Sequence, residues 1–203
     1  MNSALPRFLW AFALSVSIIS NVFPRDAHSS LEKGKQAYLR KDYRQAEKHF
    51  RAVTKAKPDF WFGHLFLGHS LFHSEKYEQA IPEYEKAREL GLKSGEIEQL
   101  DERVIIDQLG MSYADSGQLE RAKELFEGAI KRDPDYPMYY YILGCVFAEQ
   151  GDLDEAIGRL KLGFERRTNM LPGEPYPNPR TDDSFTKFLG NEKFEAALKE
   201  MGF

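Results

Sequence analysis

The chain has 203 residues, 30% charged and 42% hydrophobic, with a net charge of −4, which is the composition of a soluble globular protein or a short repeat array. That charge, with no Lys/Arg-rich run, argues against nucleic-acid binding, which needs a clustered basic surface. A single cysteine, Cys145, excludes an intramolecular disulfide.

Residues 1–23 stand apart. Arg7 is their only charge, and Phe8 to Ser20 is apolar apart from three serines. A basic start followed by an apolar run of this length predicts a secretory signal peptide; an uncleaved membrane anchor is the alternative, although a span needs ~20 apolar residues. There is no Asn-x-Ser/Thr acceptor, and no cysteine near the run for lipid attachment. The expected location is therefore exported, periplasmic or secreted. Membrane contact is expected only through that N-terminal segment.

A repeat follows. Gly34, Gly68, Gly110 and Gly144 each lie twelve residues before an alanine, at Ala46, Ala80, Ala122 and Ala156. Phe50, Tyr84, Phe126 and Leu160 come four residues after those alanines. The glycines are spaced 34, 42 and 34 residues apart, a period of 34 with one eight-residue insertion. Such a period means stacked supersecondary units.

Taken in chain order, the units are 27–60, 61–94, 103–136 and 137–170, with 95–102 inserted before the third. Each reads as two amphipathic helices. In the second, His64, Leu67, Gly68 and Leu71 share one helical stripe, and Tyr77, Ala80, Ile81, Tyr84 and Ala87 the next. Gly117 and Gly151 suit the left-handed position that ends a first helix, and Asp152 can cap the helix after it. Lys41 and Glu75 hold that glycine position in the first two units, at a cost of about 1 kcal/mol or more. Pro58 and Pro134 close second helices, whereas Pro82 predicts a kink or a late start. In the insertion, Ser94 is expected to cap an extended helix carrying Ile97, Leu100, Val104 and Gln108. Residues 171–179 hold four prolines and a glycine and read as an extended connector. Phe185, Phe188, Leu189, Phe194, Leu198 and Phe203 then form an amphipathic ending that caps the array.

The pattern resembles the tetratricopeptide repeat (TPR) family. Leu67-Gly68 with Leu71, Tyr77, Ala80 and Tyr84 carry the resemblance, as do Leu109-Gly110 with Tyr113, Gly117, Ala122, Phe126 and Pro134, and Leu143-Gly144 with Gly151 and Ala156. The first copy is weaker, because Lys33 replaces the leucine before Gly34. The resemblance implies an all-α fold: a right-handed α-solenoid of antiparallel helix pairs, about four units long, with a C-terminal cap. It also implies a concave groove lined by the first helices.

No catalytic motif is complete. Gly68-His69-Ser70 begins like a nucleophile elbow but lacks its closing glycine, and Gly34-Lys35 lacks the rest of a phosphate loop. An enzyme is not expected, nor is a cofactor. His69 and His73 lie four apart on one helical face and could share a metal ion, but no third ligand is evident, so no metal is assigned.

On the groove face implied by the resemblance lie Tyr38 from the first unit and Phe62, Leu65, His69, Phe72 and His73 from the second. Asp107, Met111 and Asp115 come from the third, and Met138 and Tyr141 from the fourth. The aromatics are candidate anchors for a partner, and the aspartates would select a basic feature. Where some relatives grip a C-terminal carboxylate, this chain has Leu31, Lys35, Phe66, Val104 and Gln108, which argues against that mode. The function expected is a non-enzymatic scaffold binding a peptide segment or protein partner. The alternative is a structural factor that assembles an envelope complex by self-association.

Overall fold

The computed structural model describes residues 25–171 and 173–203, so the expected export segment lies outside the described residues. The chain divides into two compact units, one ending at Ser116 and the other beginning at Gly117. The fold is all-α, as the repeat implies.

The first unit holds α1 (Arg25–Leu39), α2 (Tyr43–Ala56), α3 (Trp61–Phe72), α4 (Tyr77–Ser94) and α5 (Gln99–Asp115). Short turns force α1 to pack along α2, and α3 along α4, as hairpins; α2 packs on α3 and α4 on α5. The core is built from the small-and-aromatic pattern of the repeat. Ala46, Phe50, Ala80, Tyr84 and Ala87 are completely buried. A Cβ on Gly34 would lie 2.9 Å from the Phe50 ring. Gly34 and Gly68 therefore face the aromatics of their own hairpins, Phe50 and Tyr84, and the missing side chain is the space each ring fills.

The turns follow local chemistry. The Asp42 carboxylate accepts from the Gln45 N–H at 3.1 Å and starts α2. Lys41 (φ 60°) and Glu75 (φ 59°) do occupy the left-handed region, where later repeats have Gly117 (φ 78°) and Gly151 (φ 84°). Pro82 does not delay α4, which starts five residues earlier at Tyr77; the proline sits inside the helix on its exposed side. Ser94 is the last residue of α4 and not the cap of α5. Gly95 turns left-handed (φ 69°) and ends α4 there, and α5 starts at Gln99, with the Asp101 carboxylate accepting from the Glu98 N–H. Between them Ile97 folds back on Gly91, its Cβ 3.0 Å from where a glycine Cβ would stand.

The second unit holds α6 (Leu119–Arg132), α7 (Pro137–Gln150), α8 (Leu153–Glu165) and α9 (Glu192–Met201), with 3-10 turns at Arg167–Asn169, Pro179–Thr181 and Asp183–Phe188. α7 packs along both α6 and α8. Asp152 caps α8 by accepting from the Glu155 N–H at 3.1 Å, and Asn191 caps α9. Phe185, Phe194 and Leu198 are fully buried beneath the chain end. No helix among the described residues is long and apolar enough to cross a membrane.

Candidate functional site

In the first unit α3 is the central element. Eleven of its twelve residues are buried, His64 being the exception. A helix enclosed on every side must be apolar all round, and Phe62, Leu65 and Phe72 are accordingly buried along with Leu67 and Leu71. Phe66 anchors an aromatic tier, with ring centroids 4.6 Å from Phe62, 5.3 Å from Phe50 and 5.8 Å from Tyr38. Leu65 is buried beside it.

His69 is completely buried, its Nδ1 2.8 Å from the Tyr84 hydroxyl. Burial, and then the neighbouring His73, push its pKa well below the ordinary histidine value, so the ring is neutral. His73 is half-buried and stacks on Tyr43, with centroids 4.7 Å apart and planes 18° from parallel. Burial and then the Lys41 ammonium lower its pKa. Phe72 meets the Tyr77 ring edge-on at 5.3 Å. From α5, Asp107 is buried, Met111 is partly exposed and Asp115 is exposed. Burial first, then the Asp115 and Glu75 carboxylates, raise the pKa of the Tyr77 hydroxyl.

Of the residues assigned to the groove, Tyr38, Phe62, Leu65, His69, Phe72 and Asp107 are therefore enclosed within this unit, while His73, Met111 and Asp115 reach solvent. Two partly exposed aromatics were not assigned to it, Tyr43 and Tyr77. Each is the first residue of a second helix, 34 residues apart in the same place of the repeat, and that shared place is the signal that would have found them.

In the second unit Met138 and Tyr141 are buried. The Tyr141 hydroxyl donates to Asp182 Oδ2 at 2.9 Å, and its ring meets Tyr176 and Phe185 edge-on. Cys145 Sγ lies 3.9 Å from the same carboxylate oxygen. Burial and the Asp182 charge push the thiol well above its ordinary value, so it stays protonated and is a poor nucleophile. This face of α7 is covered by the chain's own C-terminal segment. Among the described residues no three His, Cys, Asp or Glu side chains are grouped to hold a metal ion.

The tetratricopeptide repeat model matches residues 31–93 and 108–160. No curated protein is matched in sequence. Solved structures of the same fold include MamA from Desulfovibrio magneticus, 21% identical over 71% of this chain and 77% of that one, with a TM-score of 0.61. YrrB, described as a TPR protein with an unusual peptide-binding site, is 22% identical over 70% of each chain, with a TM-score of 0.60. A tetratricopeptide repeat protein from Parabacteroides merdae is 16% identical over 88% of this chain and 60% of that one, with a TM-score of 0.57.

Proposed function

This chain belongs to the tetratricopeptide repeat family, whose fold serves protein–protein interaction, and we propose that it is a non-enzymatic scaffold holding a peptide segment or protein partner on the first unit. The observation that carries the reading is the edge of the α3 aromatic tier. There His73 stacks on Tyr43 and Phe72 abuts Tyr77, with Asp115 exposed nearby. Rigid aromatics cost little conformational entropy to present and supply much of the contact energy at interfaces. His73, Met111, Tyr77 and Asp115 make the direct contacts, and the carboxylate favours a basic feature in the partner. Tyr38, Phe62, Leu65, His69, Phe72 and Asp107 hold that edge in place from beneath. A peptide-binding site is described for YrrB, which shares the fold, and the same class of ligand fits here.

Export is part of the proposal and rests on the apolar run Phe8 to Ser20. Self-association through the C-terminal segment is the weaker reading, because that segment spends its apolar face on α7 and α8 of its own chain.

Photocrosslinking in intact cells tests both parts. A benzophenone side chain at His73 or Met111 is expected to capture a protein of the envelope or the exterior, and one at exposed Lys131 is not. Equal capture from all three positions, or a cytosolic partner, contradicts the proposal.

A further inference from the structure

The charge of this chain is unevenly placed. Residues 25–60 hold ten lysines and arginines against five acidic residues, a net +5 in a protein of net −4. The acidic side chains of this first hairpin are largely engaged. Glu32 takes the Lys35 ammonium at 3.2 Å, Asp42 caps α2, and Glu47 accepts from both Arg51 at 2.9 Å and Lys76 at 2.8 Å. Lys33, Arg40, Lys41, Arg44 and Lys48 are exposed and have no ion pair among the described residues. Many cations elsewhere are paired within their own unit, as in Arg88–Glu102, Arg159–Glu155 and Arg180–Glu195.

Two of those charges, Lys33 and Arg40, line an open cleft of about 570 Å³ between α1 and α2. Its walls are Lys33, Gln36 and Glu32 of α1, the last facing the Lys35 ammonium, and Arg40 just past the helix end, opposite Gln45 and His49 of α2, with buried Ala37 among the lining residues. The cleft is distinct from the His73 edge. Its Gln36 and Gln45 amides can bond a peptide backbone, and its Lys33 and Arg40 cations match carboxylates.

We propose that this cleft is a second docking site, and that its occupant is an acidic peptide segment of a partner protein. Charge complementarity is the argument: an anionic segment neutralises cations that the hairpin itself leaves unpaired, so binding weakens as salt rises. The site does not depend on the partner-binding reading above, and either can fail alone.

The test uses the full chain and a fluorescent oligoglutamate peptide, read by polarisation at low and high salt. Binding that falls with salt and drops about ten-fold in Lys33→Glu/Arg40→Glu is expected, since two attractions become repulsions. The control Lys131→Glu/Arg132→Glu, which reverses two exposed charges elsewhere, should leave it unchanged, and circular dichroism should match the wild type in both. No binding, or equal loss in both variants, overturns the proposal. So does binding to phosphatidylserine vesicles without binding to the peptide. Salt-sensitive self-association in sedimentation that Lys33→Glu/Arg40→Glu abolishes also overturns it, because the occupant is then a second copy.

Discussion

At Gly68 there is no room for a methyl group. A Cβ there would stand 2.8 Å from Tyr84 Cε1 and 2.9 Å from Cδ1, and Tyr84 is fully buried with its hydroxyl on His69. Alanine is the better helix former by about 1 kcal/mol, but overpacking a closed core costs about 1–3 kcal/mol. Overpacking should win, because the ring cannot retreat. Gly68→Ala is expected to lower the denaturation midpoint at constant slope, the sign of a pure stability change. Gly158, inside α8, has nothing within 4 Å of its missing Cβ, so Gly158→Ala should raise the midpoint. The same direction for both would show that backbone propensity, not packing, decides these sites. His69 gives a second test. Its folded pKa lies well below the unfolded value of ~6.5, so below that pH the unfolded chain binds a proton that the folded chain refuses. Its effect on stability is absent at higher pH and grows as a loss when pH falls from about 6.5 towards the lower folded value. His49 and His73 shift in the same direction. His69→Gln should flatten the decline between about pH 7 and 5; an unchanged slope would assign the effect to other groups.

Helices and turns were largely legible in the sequence because their signals are local. A 3.6-residue stripe, a capping Asp152 and a left-handed Gly151 each act within a few residues. Even the strained Lys41 and Glu75 could be located, since the repeat aligns them with glycines that have positive φ. Ser94 ends α4 instead of capping α5 because a serine near a helix end serves either side; Gly95 next to it, ready to turn left-handed, decides that α4 ends there. Pro82 causes no late start because it lies on the exposed side of α4, where a lost backbone bond is tolerated, and the sequence does not say which side that is. The candidate site was less legible than the elements. Its positions could be taken from the repeat, but their exposure depends on non-local packing. Met138 and Tyr141 have the register of their counterparts in α3, yet Asp182, Phe185 and Tyr176 from a segment some forty residues later cover Tyr141. No periodicity announces that contact.

Across the whole molecule, one chain carries surfaces of different chemical character. The first unit presents an aromatic edge beside an exposed aspartate and, on its first hairpin, an excess of cations. The second unit instead covers its corresponding inner face with its own C-terminal segment and keeps its thiol protonated. Repeat scaffolds work in this way: stacking fixes the backbone, and the few side chains not used in stacking select the partner. In the function proposed here, His73, Met111, Tyr77 and Asp115 fill that role, and removing them should leave the fold intact, since none is buried. The most direct measurement is affinity capture of the native partner by the full chain, comparing wild type with His73→Ala/Asp115→Lys at matched helical ellipticity and melting temperature. The protein crosslinked through His73 is expected to be retained at least about ten-fold less by the double variant, the loss of two contacts at ~1 kcal/mol each. Retention equal to wild type by a fully folded variant would contradict it.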